Sequence, residues 1–142
     1  MKFQHQKDLN GCGIACLSNL LNKPYDQIKK DFEDKFYSIE NGVKIFDIVN
    51  YLKTKDRTYY SRFFNQNKKY KYNIEDADKF SKIFGSITLI VKSKKYPVGH
   101  YLLRVQNGWV DPWYNLPSID KVHAGIRKEL PENPWYVLYP KA

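Results

Sequence analysis

Gln6-Lys7-Asp8-Leu9-Asn10-Gly11-Cys12-Gly13-Ile14-Ala15-Cys16-Leu17 reads as a polar loop running into a helix. Apolar residues recur at Ile14, Leu17, Leu20 and Leu21, the spacing of one helical face. The helix is expected to begin near Asn10 or Gly11, with Asn10 as its N-cap. Cys12 then falls in the first turn, where the helix dipole favours negative charge. Cysteines in such a position beside a protonated histidine are reactive nucleophiles. Gly11 and Gly13 leave room for a substrate backbone to approach the sulfur. Cys16, one turn on, is expected to face inward as a small hydrophobe.

Outward from this segment, residues 10–84 read as mainly helical and 86–140 as mainly stranded. A second helix fits 24–32, with Pro24 in its first turn and Ile28 and Phe32 inward. A third follows Asn41-Gly42 and carries the stripe Ile45, Ile48, Val49 and Leu52. Asn73 is the expected cap of a fourth, with Ala77, Phe80, Ile83 and Phe84 inward and Gly85 at its end. The aromatic run 58–64 suggests a strand, and 68–72 a solvated loop. Residues 87–91 suit a central strand. Residues 101–106 and 109–111 flank Asn107-Gly108, a hairpin signal whose type I′ turn needs positive φ at both positions. That register pairs Arg104 with Asp111 and His100 with Asn115. Residues 135–139 form a last strand, ended by Pro140. The pattern is α+β, with helices in one layer and an antiparallel sheet in the other. Its 142 residues fit one domain, 1–142.

The net charge of +9 raises the question of a polyanion partner. Only Arg57, Arg62, Arg104 and Arg127 are arginines, and the chain is crowded with Lys, Asn, Tyr, Ile and Phe. These share A/T-rich codons, so biased composition explains the excess before a nucleic-acid site does; a phage or bacterial source would suit it. The interleaved Arg/Lys and Tyr/Phe of 57–72 could stack bases, but reads better as a solvated strand and loop with aromatic roots in the core. Two cysteines make no disulfide framework, and no window approaches a membrane span of about 20 apolar residues. The expected compartment is cytoplasmic. Two Cys and three His without close spacing build no zinc site, and no cofactor is implied.

A base for Cys12 is found in His100, within Gly99-His100-Tyr101-Leu102-Leu103, and a carboxylate in Asp111 on the other hairpin arm. A nucleophile at a helix terminus, a His on one strand and an acid on the next form a Cys/His/Asp constellation. Gln-x5-Cys-Gly-x-Ala-Cys-Leu, then Gly-His-Tyr-Leu-Leu, then Asp-Pro, resembles the papain-like cysteine peptidases, and most of all the bacteriocin-processing peptidases that remove leaders after double glycine. Asn41-Gly42-Val43 and the helix after it are similar to a helix of that family. The resemblance implies a papain-like fold with helices carrying the Cys packed on a sheet carrying His and Asp. It makes Cys12 the nucleophile, His100 the base, Asp111 the orienting acid and Gln6 the oxyanion donor, acting on a peptide or protein substrate. The chain departs from the family in the helix after the cysteine, where Met is usual and this chain has Asn19 or Leu20.

The hairpin register sets His100 and Asp111 on one face but four residues apart, about 13 Å along a strand. Twist or a bend at Pro112 must close that gap, or Asn115 takes the role. Asp111 could instead pair with Arg104 across the hairpin. His5 and His123 read as surface or loop residues. Trp109, Trp113, Tyr114 and Trp135 read as sheet packing, with Trp113 and Tyr114 also placed to wall a cleft. The main alternatives are a basic binding module without catalysis and a deamidase- or transglutaminase-type acyl transferase, since fold and triad do not choose among them.

Overall fold

The computed structural model describes residues 3–64, 74–116 and 118–142. Helices α1 (Cys12–Leu21), α2 (Tyr25–Lys35) and α3 (Ile45–Lys53) precede strand β1 (Tyr59–Phe63) and helix α4 (Ile74–Ser81). Strands β2 (Ile87–Ile90), β3 (His100–Val105), β4 (Gly108–Asp111), β5 (Gly125–Arg127) and β6 (Pro134–Pro140) complete the chain. They form one sheet in the order β1-β6-β2-β3-β4-β5, antiparallel at every pairing. The architecture is the expected α+β. Among the described residues, no helix is long and apolar enough to cross a membrane.

The apolar run at 87–90 takes the interior position its composition suits, paired with β6 on one side and β3 on the other. One face of the sheet receives α1, α2 and α3, whereas α4 packs on the other through Ala77 and Val137, so the helices do not form the single layer expected. Ile14, Leu17, Ile28, Phe32, Ile48 and Leu52 pack on the first face with Ile87, Leu103 and Leu138. Burial of such side chains contributes roughly 1.5–3 kcal/mol each. Side chains alternate along a strand, so Leu102 faces the other way and joins Ile90, Tyr96 and Trp109 in a smaller cluster.

Several local expectations are corrected. Gly11, not Asn10, is the N-cap of α1; the Asn10 side chain donates instead to the Glu40 carbonyl at 2.9 Å. Pro24 is the N-cap of α2 rather than inside it, which suits a residue with extended backbone and no N–H. Helix α4 stops at Ser81, so Phe84 is exposed; the chain then turns at Gly85, where φ is +86°. The expected loop at 68–72 and the Asn73 cap lie outside the described residues.

The correction that matters most concerns the hairpin. Gln106 and Asn107 form its turn, and the ladder pairs Val105 with Gly108, Arg104 with Trp109 and Leu103 with Val110. Neither turn residue nor Gly108 has positive φ, so the turn is not type I′. Gly108 is needed for space: a Cβ there would lie 2.3 Å from the carbonyl oxygen of Arg127 on β5. Arg104 does not pair with Asp111; its guanidinium lies over Trp109, 4.4 Å from the ring centroid. Continued along the strands, this register sets Asp111 opposite Leu102. His100 is then two residues away rather than four, about 7 Å instead of about 13 Å.

Candidate active site

Cys12 is the first residue of α1 and half-buried. The helical ladder begins with the Ala15 amide donating to the Gly11 carbonyl at 3.0 Å. The amides of Cys12, Gly13 and Ile14 therefore precede the ladder and have no partner within the helix. Packing requires both flanking glycines. A Cβ on Gly11 would meet the Tyr25 hydroxyl at 2.0 Å, and one on Gly13 would press on Val43 and Tyr101 at 3.2 and 3.4 Å. Cys16 is buried as expected, and burial, followed by the charges of Cys12 and Asp111, pushes its thiol well above the ordinary range.

His100 begins β3 and Asp111 ends β4, and both are buried. His100 Nε2 lies 2.6 Å from Asp111 Oδ1. Burial alone would push the imidazolium pKa down, but the Cys12 and Asp111 charges and hydrogen bonds to both outweigh it, raising it to about 9. With Nε2 on the carboxylate, Nδ1 is the ring nitrogen left for Cys12. Asp111 shifts the other way. Burial opposes its charge, yet His100, Arg127 and the Trp113 amide hold its carboxyl below the usual range.

Gln6 is also buried, its amide donating to the Pro112 carbonyl at 3.1 Å. Its Nε2 donates to the Asp8 and Leu9 carbonyls at 3.0 and 2.9 Å, and its Oε1 is buried without a hydrogen-bond partner. Asp8 is in turn held by the Tyr25 hydroxyl at 2.7 Å and Lys29 at 3.0 Å, so α2 fixes the loop around Gln6. Asn19 clamps the preceding segment through two bonds to the Gln4 backbone, at 2.7 and 3.0 Å. Asn115 stays away from His100. Its side chain donates to the Lys121 carbonyl and accepts from the His123 amide, and His123 is exposed.

Gln6, Cys12 and His100 share the wall of a cleft of about 630 Å³. Leu9, Val43, Leu89, Trp113, Trp135 and Tyr136 add apolar lining. The Tyr101 hydroxyl donates to the Val43 carbonyl at 2.8 Å, tying the loop before α3 to β3. Among the described residues, no group of three His, Cys, Asp or Glu side chains is arranged to hold a metal ion.

Two neighbours of the triad candidates were not found from sequence. Tyr96 stacks on His100 with centroids 4.8 Å apart and planes 16° apart. Arg127, on the short strand β5, donates from Nε to Asp111 Oδ2 at 2.7 Å. Tyr96 has no local signal. Arg127 has a faint one: it is one of four arginines in a lysine-rich chain, and a planar fork is what carboxylate recognition requires.

No protein-family model and no curated protein matches the chain. Solved structures do. The chain is similar to the peptidase domain of Streptococcus ComA, a bi-functional ABC transporter involved in a quorum-sensing pathway, with a TM-score of 0.58 and 16% identity. That match covers 98% of this chain and 96% of the other. It is also similar to the peptidase domain of Streptococcus mutans ComA, with a TM-score of 0.54 and 18% identity over 100% of both. At such identities the likeness establishes the fold: this is an α+β chain with the papain-like architecture of the ComA peptidase domains.

Proposed function

We propose that residues 1–142 form a cysteine peptidase domain that hydrolyses a peptide or amide bond through a Cys12-His100-Asp111 triad. The observation that carries this reading is the buried His100–Asp111 pair, 2.6 Å apart, in a cleft wall that also presents Cys12 from a helix N-terminus. The fold shared with peptidase domains supports it. The Cys12 thiolate attacks the substrate carbonyl carbon, forming a C–S bond as the C=O electrons move to oxygen. The Cys12 amide and Gln6 Nε2 receive that oxyanion; the latter shares protons now held by the Asp8 and Leu9 carbonyls. Imidazolium Nδ1 protonates the leaving amine, and the C–N bond breaks to leave a thioester. Water, deprotonated at Nδ1, then attacks the thioester carbon; the C–S bond breaks, releasing the acid and returning the Cys12 thiolate beside the imidazolium. Asp111 holds Nε2–H throughout and is not itself protonated.

The test combines thiol labelling with a peptide library read by mass spectrometry. Cys12 should react with iodoacetamide at pH 7 much faster than in the urea-unfolded chain, and His100→Ala should abolish the excess. Cleavage should disappear in Cys12→Ala. Cleavage that survives Cys12→Ala, or a Cys12 no more reactive folded than unfolded, would end the peptidase reading.

A further inference from the structure

Asp111 has more partners than orienting a histidine requires. Its Oδ1 accepts from His100 at 2.6 Å and from the Trp113 amide at 3.0 Å, while Oδ2 accepts from Arg127 Nε at 2.7 Å. Arg127 is itself held. Its guanidinium lies over the Tyr114 ring, 4.6 Å from the centroid, and Nη2 donates to the Tyr114 carbonyl at 3.3 Å. Its strand is pinned to β4, with Arg127 opposite Trp109. This is no surface ion pair, because the carboxylate is wholly buried.

We infer that Arg127 is a positioning residue of the triad, locking the Asp111 carboxylate plane so that Oδ1 stays on His100 Nε2. The inference rests on the peptidase reading above. A carboxylate turns easily about its terminal torsion, and a second fixed bond at Oδ2 removes that freedom. Charge gives the same residue a second task. Thiolate, imidazolium and carboxylate together carry −1 in a buried setting, and Arg127 brings the set to zero. The other titratable groups around it are Cys16 on α1, Tyr96 ahead of β3 and Tyr114 beneath the guanidinium. Burial keeps the protons on Cys16 and Tyr96. Lys44 and Lys95 line the open cleft, but among the described residues Arg127 is the Lys or Arg side chain bonded to the buried carboxylate. Lysine would supply the charge but not the planar fork.

The test follows the iodoacetamide rate at Cys12 from pH 4 to 10 in the wild-type chain and in Arg127→Met, Arg127→Lys and Tyr114→Leu. In Arg127→Met the acid limb should move up by about one pH unit, because Asp111 loses a cation that helps keep it ionised. At pH values on that limb the rate should fall about tenfold. Arg127→Lys should restore the limb but only part of the rate, separating charge from geometry. Tyr114→Leu, at a half-exposed position, should shift the profile the same way by less, and keeps the test available should Arg127→Met not fold. A profile unchanged in Tyr114→Leu and in whichever Arg127 variants fold would overturn the inference while leaving a fast wild-type Cys12, and the peptidase reading, intact. A slow wild-type Cys12 would overturn both.

Discussion

Asp111→Asn keeps the shape of the side chain and removes its charge. Three donors converge on this carboxylate: His100 Nε2, the Trp113 amide and Arg127 Nε. An amide offers one acceptor oxygen where a carboxylate offers two. Whichever way the substituted amide turns, its NH2 faces a group that also donates: Arg127, or His100 in its present tautomer. Breaking a buried charge pair costs about 3–5 kcal/mol. Cys12 still faces the imidazole, so the lower end applies. The carboxylate stabilises the charged thiolate–imidazolium state, which is the reactive one, so about 3 kcal/mol taken from that state, at about 1.4 kcal/mol per decade, is a loss of roughly 10²-fold. The assay is Cys12 alkylation at pH 7, with the adduct mapped by peptide mass, beside an NMR titration of His100. The rate should fall by that factor, and the His100 midpoint should drop from about 9 toward its ordinary 6.5. A rate within about twofold of wild type and an unmoved His100 would refute the reasoning, since a twofold change is far below one decade.

Other outcomes follow from the same geometry. Gln6→Ala should slow peptide hydrolysis by about 10²–10³-fold, as loss of an oxyanion donor does, yet leave Cys12 alkylation nearly unchanged, because iodoacetamide forms no oxyanion. His100 is raised from 6.5 to about 9, so its contribution to stability is complete below pH 6.5 and lost as pH rises through 9. Asp111 is lowered, so its contribution is present above the ordinary carboxylate pKa and lost on acidification. Urea midpoints measured across pH should decline at both ends, and the alkaline decline should vanish in His100→Ala. Gly108→Ala sets a methyl group 2.3 Å from the Arg127 carbonyl. The strands β4 and β5 must part, which should lower the melting temperature and reduce Cys12 alkylation together, at a cost of about 1–3 kcal/mol.

The elements with strong periodicity were legible in the sequence. The stripe of α1 and the apolar run of β2 each specify burial by themselves, and the structure has both. The approach of His100 to Asp111 was legible in parity but not in distance. Asn107-Gly108 signals a turn through its backbone freedom, whereas Gly108 is present because another strand passes close by. That contact is long-range and leaves no local pattern, so the sequence does not reveal the register. Strand β5 has three residues, too few for alternation to appear, and its Ile126 is exposed. With β5 unseen, Arg127 had no place beside Asp111. The spacing of Phe84 continues the stripe of a helix that Ser81 already ends, so its side chain is exposed.

The site is assembled from segments that leave the ribosome at different times. Cys12 emerges with α1, His100 and Asp111 follow after much of the chain, and Arg127 comes later still. Until β3 and β4 pair, the His100 imidazole has no carboxylate beside it. Until β5 joins them, the carboxylate has no second cation. On the proposed reading, the chain is thus chemically quiet while it is being made, and Cys12 is armed only by the closing of the sheet. A truncated product ending before residue 100 would carry Cys12 without the machinery to use it.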